Sequence, residues 1–146
     1  MSKEHQLLET VQRIYKMIDR RTTQYIQRDN PTDLTTMQAI VLQYIMVESR
    51  KRDVFNKDIE NFFVVKSSSV TSMIHFLERG GYVRREDILE DGRMKRLVLT
   101  DKSRQIEDWL CGTINEYIYH TFEDFTEEEK DELQALLKKM LVKLSV

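Results

Sequence analysis

Residues 67–79 place small hydroxyl side chains on one side of a predicted helix. Its apolar residues recur at the spacing of an α-helix: Val70, Met73, Ile74 and Leu77. Ser67 is the predicted N-cap, and the remaining face carries Ser68, Ser69, Thr71, Ser72, His75 and Arg79. Short hydroxyls let a helix backbone approach a nucleic acid closely and bond its phosphates or base edges. A solvated helix face is the alternative interpretation.

Five basic side chains lie in the segment after this helix: Arg84, Arg85, Arg93, Lys95 and Arg96. Alternating side chains predict two antiparallel strands, residues 82–86 and 95–99. The polar tip between them, residues 87–94, contains Asp91-Gly92, a turn signal. Arginine on a thin ribbon suits a narrow minor groove, where the negative potential is enhanced. An exposed hairpin with charge-protected edges is the alternative interpretation.

Two longer helices are predicted before these elements. The first covers residues 7–26 and ends at Asp29-Asn30-Pro31, because the residue before proline avoids helical geometry. Thr35 and Gln38 have the spacing of a capping box, which predicts the start of the second helix. The apolar stripe predicted for that helix is Met37, Ile40, Val41, Tyr44 and Ile45.

A solvated loop, a short strand and a short helix are predicted to connect the second helix to the hydroxyl-bearing one. The loop covers the charged residues 48–53, and Val54-Phe55 is the predicted strand. Asn56 is the predicted cap of a helix through Phe62. Its predicted inward residues are Ile59, Phe62 and Phe63.

Glycines and a second capping box set the bounds of the C-terminal half. Gly80-Gly81 ends the hydroxyl-bearing helix, and Thr100 begins a new one after the hairpin. One side of that helix is apolar: Ile106, Trp109, Leu110, Thr113, Ile114 and Tyr117. Thr126 and Glu129 have capping-box spacing. The last helix carries a leucine-rich stripe over residues 133–144.

This order of elements predicts a mainly α (α+β) fold, a winged helix-turn-helix domain with N- and C-terminal dimerisation helices. We expect residues 1–146 to form a single domain, with a DNA-binding core over 34–100 and dimerisation helices over 1–30 and 101–146. The end helices are too apolar to stay exposed without a partner, notably at Leu7, Leu8, Val11 and residues 133–144.

Composition is that of a globular protein, with 40% hydrophobic and 33% charged residues. No apolar run approaches the roughly 20 residues of a membrane span, and residues 1–9 lack the apolar core of a secretion signal. The single cysteine, Cys111, excludes an internal disulfide and fits a reducing cytoplasm. Residues 50–104 carry 13 basic and 9 acidic side chains, whereas residues 105–146 carry 4 and 10, so a polyanion is attracted to the middle of the chain.

Four segments resemble the MarR family of winged-helix regulators. LTTMQAIVLQYI at 34–45 resembles the family's second helix, with Leu34, Thr35, Gln38 and Leu42 in its Leu-Thr…Gln…Leu signature. LERGGY at 77–82 resembles Leu-Glu-x-x-Gly-Leu, and DGR at 91–93 resembles the Asp-x-Arg wing motif. LVLT at 97–100, followed by Lys102, resembles Leu-x-Leu-Thr-x-x-Gly, with Ser103 replacing the glycine. The resemblance extends over nearly the whole chain.

The resemblance implies a cytoplasmic homodimer that binds a pseudo-palindromic double-stranded DNA operator, as a repressor that a small ligand releases. The residues that would face the major groove are Ser67, Ser68, Ser69, Thr71, Ser72 and His75. Arg93 would enter the minor groove. We expect Arg84, Arg85, Arg93 and Lys95 to neutralise phosphates, so that binding weakens steeply with salt.

Other chemistries find little support in the sequence. His5, His75 and His120 do not have the spacing of a paired metal site. Cys111 fits a small buried residue better than a redox switch. The aromatic residues Trp109, Tyr117 and Tyr119 fit a core or an interface better than a ligand cavity. No catalytic constellation, cofactor motif or membrane segment is expected. A winged-helix ligand sensor or protein-interaction module without DNA binding is the alternative function.

Overall fold

The computed structural model describes residues 1–88 and 91–146, except the side chains of Asp91 and Gly92. Its elements are α1 (Lys3–Arg28), α2 (Thr36–Glu48), α3 (Asn56–Phe63), α4 (Ser67–Arg79), β1 (Val83–Ile88), β2 (Asp91–Leu99), α5 (Asp101–Phe122) and α6 (Glu127–Leu144). The chain divides into two compact units, Met1–Ile114 and Asn115–Val146. Among the described residues, no helix has the length and apolar character of a membrane span.

Helix α1 begins and ends at side-chain signals. The Ser2 hydroxyl accepts a hydrogen bond from the His5 N–H at 3.1 Å, and the helix ends before Pro31, as predicted. The Asn30 side chain then organises the turn, since Nδ2 donates to the Leu34 carbonyl at 2.9 Å and Oδ1 accepts from the Thr32 N–H at 2.8 Å. Most apolar residues of α1 remain exposed in the chain, among them Leu7, Leu8, Ile14, Tyr15, Met17 and Ile18.

Helix α2 has the predicted capping box but a different buried face. The Thr35 hydroxyl accepts from the Gln38 N–H at 3.3 Å, and Gln38 Oε1 accepts from the Thr35 N–H at 2.9 Å. Met37, which belongs to the predicted apolar stripe, is exposed. The buried residues are Ala39, Val41, Leu42, Tyr44, Ile45 and Met46, because neighbouring elements surround this helix on several sides. A one-sided stripe therefore underestimated its burial.

The predicted strand at Val54-Phe55 is wrong. Among the described residues the sheet has two strands, and Val54 contributes one hydrogen bond, from the Leu97 N–H to its carbonyl at 2.8 Å. The chain turns away at once because Asp58 Oδ2 accepts from the Phe55 N–H at 2.8 Å and starts α3. Phe55 therefore takes the cap position predicted for Asn56.

Phe62 was also predicted wrongly. Ile59 is buried and Phe63 packs against the core, but Phe62 is 64% exposed. In a helix of only eight residues, Ile59 and Phe63 at i and i+4 already define the inward side, and Phe62 lies at its edge. Its ring contacts Tyr44, with 4.6 Å between ring centroids.

Helix α4 begins at Ser67, so the predicted Ser67 cap is wrong. Lys66 is the N-cap, in an extended conformation with no side-chain capping bond, and its carbonyl accepts from the Val70 N–H at 3.2 Å. Val70, Ile74 and Leu77 are buried in the core. The chain leaves α4 through Gly81, whose φ of 80° favours glycine.

Strands β1 and β2 form the predicted antiparallel hairpin but extend further than predicted. Val83 pairs with Leu99 and Arg85 with Leu97, and Leu97 and Leu99 point into the core. Pairing continues to Ile88 and Asp91 after a register shift. The predicted Asp91-Gly92 turn is wrong, because both residues belong to β2. The two residues between the strands lie outside the described part of the chain.

Ser103 replaces glycine with a hydrogen-bonding cap for α5. Its hydroxyl accepts from the Thr100 N–H at 2.9 Å and donates to the Thr100 carbonyl, also at 2.9 Å. The side chain is completely buried. Leu110 and Thr113, further along α5, are buried as predicted.

The second unit, Asn115–Val146, contains the end of α5 and all of α6. The Thr126 hydroxyl accepts from the Glu129 N–H at 3.1 Å, and Glu129 Oε1 accepts from the Thr126 N–H at 2.9 Å, which confirms this capping box. No residue of α6 is buried in the single chain. Its exposed apolar residues include Leu136, Leu137, Leu141, Val142 and Leu144.

Candidate nucleic-acid interface

The polar face of α4 is exposed to solvent. Ser68, Thr71, Ser72 and His75 recur at i, i+3, i+4 and i+7 and form one stripe. This stripe lies opposite the buried side of the helix, and Ser67 and Ser69 are exposed beside its first turn. The six residues predicted to face the major groove are therefore accessible on one helix.

The hydroxyls of this face are largely uncommitted. Thr71 Oγ1 donates to the Ser67 carbonyl at 2.9 Å. Within residues 1–88 and 91–146, the hydroxyls of Ser67, Ser68, Ser69 and Ser72 make no hydrogen bond to protein. The Ser69 N–H donates to the Lys66 carbonyl at 3.1 Å. Because Lys66 provides no side-chain cap, the N–H groups of Ser67 and Ser68 and the positive end of the helix dipole remain available to an anion.

Arg85 of the hairpin is held by a carboxylate of α4. Its Nε lies 3.2 Å from Glu78 Oε2 and its Nη2 lies 3.1 Å from Glu78 Oε1, a bidentate pair. Both side chains are one-third exposed, at 33%. The predicted phosphate contact at Arg85 would require this pair to open or to share its charge.

Arg96 ties the two strands to each other and to the loop after α2. Its Nε and Nη2 each lie 3.1 Å from Glu86 Oε1, and its Nη1 lies 3.7 Å from Asp53 Oδ2. Arg84 shares the same glutamate, with Nη1 3.5 Å from Glu86 Oε2. The root of the hairpin is thus braced by charge pairs.

The outer part of the hairpin carries the remaining predicted contacts. Lys95 Nζ lies 3.6 Å from Asp87 Oδ1, and Arg93 is exposed on β2. Residues 83–99 contain five basic and four acidic side chains, a net charge of +1. The hairpin is therefore less basic than its arginines alone suggest.

A packed junction connects α4 to the hairpin, and sequence patterns did not reveal it. The Tyr82 hydroxyl donates to Asp33 Oδ1 at 2.9 Å, and burial together with that carboxylate raises the pKa of Tyr82 to about 12. Lys102 Nζ lies 4.4 Å from the centre of the Tyr82 ring and donates to the Gly80 carbonyl at 2.6 Å. Tyr82 and Asp33 are 49 residues apart, so no local spacing signals the contact.

The side chains considered for metal or redox chemistry lie apart. In the described part of the chain, no group of three histidine, cysteine or acidic residues is placed to hold a metal ion. Cys111 is half-buried in α5, and burial raises the pKa of its thiol, which lowers its thiolate fraction. His120 Nδ1 lies 3.1 Å from Glu123 Oε2.

Solved structures of transcription regulators have the same arrangement of helices and strands. No family model matches the chain. The HTH-type transcriptional regulator PapX of Escherichia coli is 24% identical over 143 residues, covering 98% of this chain and 85% of PapX. The S. aureus MepR–DNA complex has a TM-score of 0.83 at 21% identity, covering 98% of this chain and 99% of that one. The transcription regulator MarR from Oenococcus oeni PSU-1 has a TM-score of 0.77 at 23% identity, covering 92% and 98%.

The chain has the winged-helix fold of the MarR-family regulators. In this fold, α3 and α4 form the helix-turn-helix, and α4 occupies the position called the recognition helix in DNA-binding members. The β1–β2 hairpin, residues 83–99, is the wing. The fold class predicted from the sequence is confirmed.

Proposed function

We propose that the chain is a non-enzymatic transcriptional regulator that binds double-stranded DNA through α4 and the wing. The observation that carries the proposal is the exposed polar stripe of α4 beside an arginine-bearing wing; the serine hydroxyls of this helix face have no protein partner among the described residues. Ser67, Ser68, Ser69, Thr71, Ser72 and His75 would contact the major groove. Arg93 would enter the minor groove, and Arg84 and Lys95 would face phosphates. The solved MepR–DNA complex of similar fold supports this arrangement.

We propose that the working form is a cytoplasmic homodimer. The exposed apolar residues of α1 and, in the second unit, those of α6 support a partner, since monomers rarely expose so many large apolar side chains. Two recognition helices related by a two-fold axis would then read half-sites about 34 Å apart. Sedimentation at micromolar concentration is expected to give a dimer, and a folded monomer would contradict it.

Repression relieved by a small ligand is the proposed mode of regulation. The second unit contains an open groove of about 650 Å³, lined by apolar side chains that include Tyr119, Phe122 and Leu137 and by charged ones that include Glu123 and Lys130. This volume suits a small organic molecule. A thermal-shift screen is expected to find compounds that raise the melting temperature and also release bound DNA.

Pairing of the wing arginines favours a second candidate function. Glu78 and Glu86 bind Arg85 and Arg96, so these guanidinium groups are less available to phosphates. A winged-helix sensor or protein-interaction module without DNA binding would show the same pairing. The modest net charge of the wing supports this candidate as well.

Titration against duplex DNA at two salt concentrations separates the two functions. Genomic fragments that the dimer retains would be sequenced, and the shared site and a scrambled duplex would be titrated at 50 and 200 mM salt. We expect the selected site to bind at least about a thousandfold more tightly than the scrambled duplex, with affinity falling as salt rises. Absence of salt-dependent binding to any duplex favours the second function.

A further inference from the structure

We propose that Arg85 is a positioning residue: its bidentate pair with Glu78 fixes the wing to the recognition helix, and it is not a phosphate contact. The inference rests on the proposed DNA-binding function. It revises the role expected for Arg85 from the sequence, where its basic charge alone suggested a phosphate contact.

The pair joins the end of α4 to β1, where the orientation of the wing relative to α4 is set. Glu78 lies in the last turn of α4, and Arg85 lies in β1, seven residues later. Two N–H groups of the guanidinium meet the two carboxylate oxygens at 3.1 and 3.2 Å. A bidentate pair constrains both distance and angle, which a single contact between point charges does not.

The opposite side of the hairpin is fixed by a separate set of contacts. Arg96 binds Glu86 across the strands and approaches Asp53, and the Leu97 N–H donates to the Val54 carbonyl. The wing root is therefore held from α4 on one side and from the loop after α2 on the other. An arginine in such a brace contributes most by aligning the wing tip with the recognition helix.

Neutralising Glu78 separates positioning from phosphate contact because the two roles predict opposite signs. If Arg85 contacts a phosphate, Glu78→Gln frees the Arg85 guanidinium and raises the net charge of each protomer by one, so DNA binding tightens. If the pair positions the wing, the same substitution loosens the wing and binding weakens despite the added charge. We expect a loss of about fivefold to tenfold in affinity for the selected site at fixed salt.

Asp87 provides the matched control. Its carboxylate pairs with Lys95 inside the hairpin and is 71% exposed, so it does not link the wing to α4. Asp87→Asn also removes one negative charge from the wing, and we expect it to leave affinity unchanged or to tighten binding. Opposite signs for Glu78→Gln and Asp87→Asn identify the link to α4, and not charge, as the cause.

Two further readouts test positioning in particular. Arg85→Ala is expected to weaken binding while the salt slope stays constant, whereas loss of a phosphate contact in each protomer reduces the slope by about 2. The double variant Glu78→Gln/Arg85→Ala is expected to bind no more weakly than either single variant. In these variants, sequence preference at the base pairs flanking the half-sites should fall, and sequence preference at the central base pairs should persist.

A measurement without DNA keeps the inference testable if the proposed function fails. Spin labels at Ser72→Cys and Met94→Cys, in a Cys111→Ala background, report the distance between the recognition helix and the wing. Glu78→Gln is expected to broaden that distance distribution, and Asp87→Asn to leave it unchanged. An unchanged distance distribution in Glu78→Gln, or tighter DNA binding by that variant, overturns the positioning role. Failure of the wild-type protein to bind DNA overturns only the proposed function.

Discussion

The recognition helix and the wing hold their polar groups in opposite states. On α4, hydroxyls of Ser68, Ser69 and Ser72 are exposed and have no protein partner among the described residues. On the wing, the basic groups of Arg84, Arg85, Lys95 and Arg96 each lie within 4.0 Å of a carboxylate. Helix α4 therefore presents hydroxyls that can form new hydrogen bonds, whereas these four basic groups of the wing form ion pairs that stabilise its geometry.

This difference shows why a count of basic residues overestimates electrostatic attraction. A paired arginine releases fewer counterions on binding DNA, because its carboxylate partner already neutralises it. A hydroxyl carries no charge, so its contribution depends on close approach and shape. We therefore expect changes on α4 to affect specific binding more than removal of a single charge from the wing.

The largest expected effect comes from placing a charge on the helix face. Ser72→Glu should lower affinity for the selected site about a hundredfold, near 3 kcal/mol, because a carboxylate would face phosphates and base acceptors at close range. Gel-shift titration measures the loss. Ser145→Glu, at an exposed residue after α6, is the matched control and should bind as the wild type does. Equal binding by Ser72→Glu would mean that α4 does not face DNA.

The wing counterpart of this test is Arg93→Ala. We expect about a tenfold loss of affinity and a salt slope reduced by about 2 across the dimer, because one cation is lost from each wing. The dimer itself should persist, as sedimentation can confirm. A loss larger than that of Ser72→Glu would reverse the proposed order of the two regions.

The junction between the two regions contributes to stability. Tyr82→Phe removes the hydrogen bond to Asp33 and should lower the free energy of unfolding by about 1 kcal/mol at pH 8. Since the pKa of Tyr82 in the folded protein is raised to about 12, its contribution is complete below pH 10 and is lost as the pH rises towards 12. Urea unfolding at pH 8 and pH 11 should therefore show a smaller difference between wild type and variant at the higher pH. A constant difference would contradict the shift.

The smallest expected effect concerns the turn that leads into α4. Val64 has a φ of 54° and is 86% exposed, an unfavourable conformation for a β-branched residue. Val64→Gly should raise the free energy of unfolding by about 0.5 kcal/mol. This value is the strain energy relieved in the folded protein minus the conformational entropy that glycine adds to the unfolded chain. Val142→Gly, in the helical α6, should instead destabilise the protein. Thermal unfolding compares the two, and destabilisation by both variants would argue against strain at Val64.

Features that depend on near neighbours in the chain could be predicted from the sequence. The Thr35–Gln38 and Thr126–Glu129 capping boxes, the stop at Gly80-Gly81 and the alternation of Leu97 and Leu99 with Arg96 and Val98 are confirmed. Each arises from hydrogen bonds or steric limits within about four residues or between adjacent strands, so spacing is sufficient to reveal it. The order of these elements was enough to predict the fold class.

Only the tertiary structure decided which polar groups are paired and which apolar side chains are buried. The pairing of Arg85 with Glu78, the bond from Tyr82 to Asp33 and the exposure of Phe62 depend on how separate elements pack. Charge and hydrophobicity along a sequence state what a side chain can bind, but proximity in three dimensions determines what it does bind. For this protein, residue types locate the candidate surface, and packing decides which of its residues remain available to a partner.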